Sequence, residues 1–268
     1  ILRCLVGSEM CIRDRLLTGC ALPVMACTGI SATAKDGGYV QARTIEWGDS
    51  YLPSQYVVIP CGHEMISYTP KGMNGAKFRA RYGVVGLSIV LKDFVVEGLN
   101  EAGLSAGLFY FPHYGNYPVY DAKQNTRTVA DLQLVAWMLS QFSTIEEIKA
   151  AMQDIRVVSV DTTGASSTVH WRIGDANGRQ VVLEFVDGVP CFYENEIGVL
   201  TNSPGFPWQM TNLNNYVNLY PGGAEAHQLG GVTIFPFGAG SGFQGIPGDV
   251  TPPSRFVRAA FYKATAPQ

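Results

Sequence analysis

Beyond residue 26, the first part of the chain alternates hydrophobic and polar positions in the manner of β-strands. Short runs rich in Val, Ile and aromatic residues are separated by turn sequences. The clearest turn is Asp36-Gly37-Gly38, which predicts a hairpin. The predicted strands of this part are 27–35, 39–47, 55–60, 82–91 and two within 94–111, separated by a turn at 99–103.

Helical spacing of apolar residues appears in the middle of the chain and again at its end. Ser143-Thr144 precedes one such run, whose first turn holds Glu146 and Glu147, so a capped helix is predicted there. Pro252-Pro253 indicates the start of another. The predicted helices are 129–142, 145–152, 208–216 and 252–265. Further strands are predicted at 167–173, 180–185 and 189–193, and turn-rich chain at 199–207 and 222–248.

The order of these elements predicts an α+β fold in which helices pack on antiparallel sheets. Charged residues make up only 15% of the 268 residues, against roughly 25% in an average soluble domain. The net charge of −3 provides no basic surface for nucleic acid. No apolar run reaches the roughly 18 residues that a membrane span needs. We therefore expect a globular domain with neither a nucleic-acid partner nor a membrane span.

The first 26 residues do not match the rest of the chain. Residues 5–14, LVGSEMCIRD, resemble one reading frame of a sequencing adapter, so we interpret 1–15 as an artefact. Residues 16–26 resemble the end of a signal peptide, since they are short, apolar and end in Ala26. This interpretation predicts a periplasmic or secreted bacterial protein. Alternatively, Leu17-Thr18-Gly19-Cys20 fits a lipoprotein box, which would place a lipid on Cys20.

Cleavage after Ala26 would place the thiol of Cys27 beside a free α-amine. The pKa of an α-amine is about 8 and that of a thiol about 8.5, so proton transfer between them is easy. The amine can accept the thiol proton and later return it to a leaving group, which makes Cys27 a nucleophile with its own base. This chemistry requires an N-terminal cysteine, so catalysis at Cys27 and lipidation at Cys20 exclude each other.

Five short motifs follow one another in a recognisable order: 27–29 (CTG), 42–47 (ARTIEW), 100–104 (NEAGL), 198–204 (GVLTNSP) and 247–256 (PGDVTPPSRF). They resemble the choloylglycine hydrolase and penicillin V acylase family of N-terminal-nucleophile hydrolases, from Cys27 to the last residue. The resemblance implies a four-layer αββα sandwich that hydrolyses a linear amide C–N bond through a thioester, without a cofactor. Family members run on further, so we expect the C-terminal part of the sandwich to be missing. Residues 27–268 alone should then fold poorly, with exposed strand edges.

The resemblance also implies roles for individual residues. Cys27 matches the nucleophile. Arg43 matches an arginine near its sulfur, where a cation favours the thiolate. Glu46 stands where the family usually has Asp, an acid that orients the α-amine, and Glu is one methylene longer.

The remaining matched residues belong to the oxyanion hole and its surroundings. Asn202 matches the side-chain donor and Tyr110 the residue whose backbone N–H is the second donor. Arg255 matches a polar residue that supports the nucleophile. Bile salt hydrolases of the family commonly carry Asn at the position of Tyr110, whereas penicillin V acylases carry Tyr. Tyr110 therefore favours an aryl or alkyl acyl group, with conjugated bile salts and N-acyl homoserine lactones as alternatives.

Two other classes of function stay open. The chain would be an inactive binding homologue if Cys27 stayed covered or if Glu46 could not hold the amine. It would be an ordinary cysteine hydrolase if His63 or His170 served as base.

No Cys-x-x-Cys pair is present and the four His residues are scattered, so no zinc site is expected. The family often forms tetramers, and the segment 212–248 that helps assembly in relatives is present, which predicts a homo-oligomer.

Overall fold

The structure is a computed structural model that describes residues 27–46, 52–160 and 168–266. The predicted artefact 1–15 and leader 16–26 lie outside these residues, as do the ends of the strands predicted at 39–47 and 167–173. The strands are β1 Cys27–Thr33, β2 Tyr39–Ile45, β3 Ser54–Ile59, β4 Glu64–Ile66, β5 Lys77–Arg79, β6 Val84–Ile89, β7 Val95–Asn100, β8 Ser105–Tyr110, β9 Thr128–Ala130, β10 Arg156–Val158, β11 Val169–Gly174, β12 Gln180–Val186, β13 Val189–Glu194, β14 Val199–Leu200, β15 His227–Leu229 and β16 Val232–Ile234. The α-helices are α1 Leu134–Gln141, α2 Ile145–Ala151, α3 Phe206–Asn212 and α4 Pro252–Thr265. Short 3₁₀ turns lie at Ala122–Arg127, Asp131–Gln133, Leu213–Tyr216 and Ser241–Phe243.

The larger sheet has seven strands in the order β13-β12-β11-β8-β7-β6-β3, and all neighbours are antiparallel. Helices α1 and α2 bury their apolar side chains against it in the main hydrophobic cluster. Gly98 of β7 lets α1 approach, because a Cβ there would lie 2.9 Å from Leu139 Cδ1. Removal of the apolar surface of this cluster from water is the main stabilising contribution to the fold.

The smaller sheet has the order β14-β1-β2 and faces the larger one. The two sheets approach closely at Gly29, where a Cβ would lie 2.6 Å from Phe109 Cζ and 2.8 Å from Arg172 Nη1. The glycine of the CTG motif is therefore required by packing. Helix α4 packs on β1 and β14, and Phe256 of α4 joins Phe109 and Cys27 in a second cluster. The layers are helix, sheet, sheet and helix, which confirms the predicted αββα sandwich.

Local signals predicted several elements well. Helix α4 has the predicted bounds. Helix α2 begins at a capping box, in which the Thr144 hydroxyl accepts the Glu147 N–H at 3.2 Å and the Glu147 carboxylate accepts the Thr144 N–H at 3.3 Å. The hairpin around Asp36-Gly37-Gly38 joins β1 and β2, with Thr33 opposite Tyr39.

Three predictions are wrong, the first two because long-range pairing overrides the local pattern. The helix predicted from 129 begins at Leu134, because Val129 lies opposite Val157 in a parallel pair of strands. The loop predicted at 199–207 begins with β14, whose Leu200 lies opposite Gly29 of β1. The irregular segment predicted at 222–248 contains the antiparallel pair β15 and β16. The sequence also gave no indication of β4, β5 and β10.

No helix in the described part of the chain is long and apolar enough to cross a membrane.

Candidate active site

Cys27 is the first residue of β1, the central strand of the smaller sheet, and is 5% exposed. Its neighbour across the pair with β2 is Ile45. The Cys27 N–H donates to Asn202 Oδ1 at 2.9 Å, across 175 residues of sequence. The fold therefore brings the predicted nucleophile directly to the predicted oxyanion-hole asparagine.

Asn202 lies two residues after the end of β14 and is 2% exposed. Its Oδ1 accepts from both Cys27 N and Arg255 Nη2, the latter at 2.8 Å. Its Nδ2 donates to the backbone carbonyl of Tyr110 at 2.7 Å. One amide side chain thus joins three of the other residues predicted from the sequence, and these contacts fix its plane.

Arg255 lies in the first turn of α4, close to the proline pair that begins this helix. Its Nη1 donates to the Cys27 carbonyl at 2.5 Å and to Thr28 Oγ1 at 2.6 Å. Burial lowers the pKa of the Arg255 guanidinium, while the charges of Cys27 and Glu46 act in the opposite direction. A guanidinium remains charged in such surroundings, so Arg255 is a cation fixed beside Cys27.

Arg43 lies on β2 with a side chain only 6% exposed. Its guanidinium lies over the Phe109 ring at 4.0 Å from the centroid and donates to the carbonyls of Val96 and Leu108. Glu97 Oε2 lies 3.5 Å from Arg43 Nη1. These contacts fix Arg43 on the wall of the cavity that Cys27 also lines; its donors bind backbone carbonyls and Glu97.

Glu97 and Arg172 are two residues that the sequence analysis missed. Glu97 Oε1 accepts from Arg172 Nη2 at 2.9 Å, so one carboxylate pairs with two arginines. Arg172 is fully buried and also donates to the Ile30 carbonyl at 3.0 Å. Both interrupt apolar strand sequences, VVEGL and HWRIG. A charge in the middle of a buried strand is the signal that would have identified them.

Glu46 lies at the protein surface beside the cluster of Cys27, Asn202 and Arg255. It follows Ile45, the strand partner of Cys27, and its side chain is exposed. Within residues 27–46, 52–160 and 168–266, no hydrogen bond to its carboxylate is found, and its charge acts on Arg255. The structure therefore brings Cys27, Asn202 and Arg255 into direct contact, while the predicted role of Glu46 in holding the α-amine stays a prediction.

A cavity of about 450 Å³ opens beside Cys27. Tyr110 and Arg43 form part of its wall, and most of the other lining residues are apolar. The apolar lining consists of Ile45, Leu52, Ile89, Val90, Val96, Leu108, Leu132, Val160 and Val169. A pocket of this size and character suits an apolar group of a small molecule. In the described ranges, no three His, Cys, Asp or Glu side chains come close enough to hold a metal ion.

Residues 27–268 match the family of linear amide C–N hydrolases known as the choloylglycine hydrolases. The chain belongs to the choloylglycine hydrolase family. The family assignment confirms the resemblance inferred from the five motifs. The protein is therefore a hydrolase of linear amide C–N bonds.

Relatives support this choloylglycine hydrolase assignment. The chain is 33% identical over 251 residues to a bile salt hydrolase/transferase of Bifidobacterium longum subsp. longum, covering 90% of this chain and 75% of that protein. It is 32% identical over 241 residues to the bile salt hydrolase/transferase of Clostridium perfringens, covering 88% and 71%. A penicillin V acylase of Pectobacterium atrosepticum is 24% identical over 239 residues, covering 83% and 55%.

Solved structures of the family share the fold. A mutant of the conjugated bile acid hydrolase from Clostridium perfringens superposes with a TM-score of 0.76 at 30% identity, covering 89% of this chain and 72% of that one. Penicillin V acylase from Agrobacterium tumefaciens gives 0.69 at 26% identity, covering 90% and 66%. The sandwich and the amide-hydrolase class therefore agree with the sequence predictions.

Asp131 is a buried acid on the cavity wall whose titration should appear in the stability of this choloylglycine hydrolase. Burial raises its pKa from 3.8 to about 7, although hydrogen bonds from the Leu132 N–H, Ser159 and Val160 oppose the rise. The folded state therefore holds a proton that the unfolded state has released. The free energy of unfolding should fall by about 3 kcal/mol from pH 5 to pH 8 through this group.

Urea unfolding of Asp131→Asn tests this expectation, because the variant cannot titrate at this position. Its stability loss between pH 5 and pH 8 should be smaller than that of the wild type by the stated amount. Asp154→Asn, at an exposed position, is the matched control and should keep the wild-type dependence. Equal slopes for Asp131→Asn and the wild type would contradict the raised pKa.

Proposed function

We propose that this hydrolase cleaves amides of the penicillin V type, with Cys27 as an N-terminal nucleophile exposed by cleavage after Ala26. One observation carries the proposal: Cys27 lies at an apolar cavity lined by Tyr110, in hydrogen-bond contact with Asn202. An apolar acyl group would occupy the cavity, and the scissile carbonyl would lie between Cys27 and Asn202.

The α-amine of a processed Cys27 would act as the base. The nitrogen that now donates to Asn202 Oδ1 at 2.9 Å becomes this amine once the preceding peptide bond is cut. Asn202 Oδ1 would then orient the α-amine. The amine takes the proton of the thiol, and the sulfur forms a bond to the substrate carbonyl carbon. Asn202 thus supports the base in the role that the family resemblance gives to the acid at Glu46.

The tetrahedral intermediate carries a negative oxygen that needs fixed donors. The side-chain amide nitrogen of asparagine carries two hydrogens. Asn202 Nδ2 uses one of them in its hydrogen bond to the Tyr110 carbonyl. The second hydrogen would donate to the oxyanion, together with the backbone N–H of Tyr110. Arg255, bound to Asn202 Oδ1 and to the Cys27 carbonyl, keeps both groups in place.

Collapse of the intermediate breaks the C–N bond. The leaving amine takes the proton from the α-ammonium, and the acyl group stays on Cys27 as a thioester. Water then gives a proton to the α-amine and attacks the thioester carbonyl, which releases the acid and restores the thiol. The cationic Arg43 on the cavity wall would favour the thiolate form of the leaving sulfur.

Comparison of three substrate classes tests the substrate. The protein would be produced with a removable leader, and intact mass would verify that Cys27 is the first residue. We expect kcat/KM for penicillin V to exceed that for a glycine-conjugated bile salt and for a long-chain N-acyl homoserine lactone by about tenfold. The bile salt is the second candidate, because relatives at 32% and 33% identity are bile salt hydrolases. A higher rate on the bile salt would overturn the acylase proposal, and no release from any of the three would favour a binding homologue.

Tyr110→Asn should change this preference. The variant loses the flat apolar ring from the cavity wall. We expect kcat/KM for penicillin V to fall about tenfold, with no comparable fall for the bile salt. Tyr110→Phe keeps the ring and is the matched control, with a rate near that of the wild type. An equal loss on both substrates in Tyr110→Asn would contradict a role in acyl-group selection.

We also propose that the protein acts in the periplasm or after secretion, because the predicted leader at 16–26 would direct it out of the cytoplasm. Fractionation of cells that produce the protein with a complete leader tests this. The processed form should begin at Cys27 and appear outside the cytoplasm. A lipid-modified Cys20 in the membrane fraction would support the alternative and exclude an N-terminal Cys27.

A further inference from the structure

A completely buried His–Glu pair lies next to the segment that carries Asn202. His170 is on β11 and Glu184 on the adjacent β12, and they are 0% and 1% exposed. His170 Nδ1 lies 3.0 Å from Glu184 Oε1. Neither residue lines the cavity beside Cys27, and the catalytic steps described above use neither of them.

Both nitrogens of the His170 ring face acceptors. Nε2 lies 3.1 Å from the Thr201 carbonyl, and a carbonyl can only accept, so Nε2 carries a hydrogen. Glu184 Oε1, opposite Nδ1, also accepts the Phe206 N–H at 2.8 Å. A deprotonated Glu184 accepts from both groups, and Nδ1 then carries a hydrogen as well. This arrangement makes the ring an imidazolium whose charge Glu184 balances.

The surroundings of the ring suit a cation. Phe111 stacks on His170 with ring centroids 4.3 Å apart and an angle of 8° between the planes. Phe109 meets it edge-on at 6.2 Å. The face of an aromatic ring attracts a positive charge, most strongly where water is excluded. Beside a deprotonated Glu184, a neutral ring would give up the contact to Thr201 or the contact to Glu184.

The pair holds both ends of the segment 201–206. Thr201, whose carbonyl accepts from His170, directly precedes Asn202, and Phe206, whose N–H binds Glu184, begins α3. Thr201 Oγ1 also donates to the Pro252 carbonyl at 3.1 Å, at the start of the helix that carries Arg255. A shift of the Thr201 carbonyl would therefore move Asn202 relative to Cys27.

We propose that His170, as an imidazolium paired with Glu184, is a positioning residue for the oxyanion-hole donor Asn202. The role of Asn202 in catalysis rests on the proposed function, whereas the charge state and the positioning rest on the contacts alone. An oxyanion-hole donor must be placed to within a fraction of an ångström, and misplacement by about 1 Å costs on the order of a hundredfold in rate. The pair thus acts on kcat through Asn202 without touching the substrate.

Steady-state kinetics of His170→Gln and Glu184→Gln test this role. We expect kcat to fall about a hundredfold with KM within about threefold of the wild type. Ile148→Ala, in the core of α2 on the other side of the larger sheet, is the control for lost stability, and its kcat should stay within about twofold. Wild-type kcat in a folded His170→Gln, or an equal loss in Ile148→Ala, would overturn the proposal.

NMR of the wild type with ¹⁵N-labelled histidine and asparagine provides a second test that needs no activity. Both ring nitrogens of His170 should be protonated at pH 7, and the side-chain amide signals of Asn202 should shift in Glu184→Gln. A single protonated ring nitrogen, or unchanged Asn202 signals, would overturn the proposal. If His170→Gln does not fold, Glu184→Gln supplies both measurements. If the wild type is inactive on every substrate, the proposed function is refuted. The signals of the His170 ring nitrogens and of the Asn202 amide would then decide the positioning role by themselves.

Discussion

Cys27→Ala should abolish amide hydrolysis, with kcat reduced by about 10⁴-fold or more. The substitution removes the sulfur that we propose as the nucleophile, and the remaining donors would only stabilise charge. Cys27→Ser should also be much less active, because a hydroxyl is far less acidic than a thiol and gives up its proton to the α-amine less readily. The measurement is the rate of acid release from penicillin V, with the N-terminus of each variant verified by mass.

The chain supplies two matched controls for the cysteine substitution. Cys61 and Cys191 are free cysteines within the described residues, one exposed and the other half-buried. Replacing either by alanine should leave the rate within about twofold. Quenched wild-type reactions should carry the acyl group on Cys27, as detected by peptide mass. Activity in Cys27→Ala, or acylation of another residue, would show that the nucleophile is elsewhere and would revive the histidine-based alternative.

Asn202→Ala should lower kcat about a thousandfold. The variant loses the Nδ2 donor, the acceptor for the Cys27 nitrogen and the anchor for Arg255 together. Asn202→Asp separates these contributions, because it keeps an oxygen facing Cys27 and Arg255 and replaces the nitrogen donor by a second oxygen. We expect a loss of at least about a hundredfold for Asn202→Asp as well, since the missing donor alone should account for it.

A second buried asparagine provides the control for Asn202. Asn195 is 2% exposed, and its side chain binds Val199 and Gly198 at the other end of β14. Asn195→Ala should lower thermal stability while kcat remains near that of the wild type. A kcat for Asn202→Asp close to the wild-type value would mean that the nitrogen donor does not act on the oxyanion. An equally large loss in Asn195→Ala would mean that the effect of Asn202→Ala is structural.

The polar centre of the larger sheet explains why Arg43 takes its observed position. Glu97 lies between Arg43 and Arg172, and both guanidinium groups lie over the Phe109 ring. Removal of Glu97 would leave the two buried guanidinium groups without an acidic partner, which is strongly unfavourable. The arrangement thus holds Arg43 in place and puts a cation on the cavity wall.

The sequence by itself determined the elements and chemistry that depend on near neighbours. The Thr144–Glu147 capping box and the proline pair at the start of α4 act within one helical turn, so their positions could be predicted. The chemistry of an N-terminal cysteine is equally local, because thiol and amine belong to the same residue. The motifs added the family, and with it the six matched residues.

The tertiary structure alone decided how those residues meet and which charges are buried. Cys27 meets Asn202 across 175 residues and Arg255 across 228, and β14 exists only because β1 provides its hydrogen-bond partner. The sequence does not show which residues Glu97 and Glu184 pair with, because burial and charge balance depend on residues brought together by sheet packing. A local pattern reports secondary structure and intrinsic reactivity, whereas the placement of a donor depends on packing contacts that only the complete fold creates.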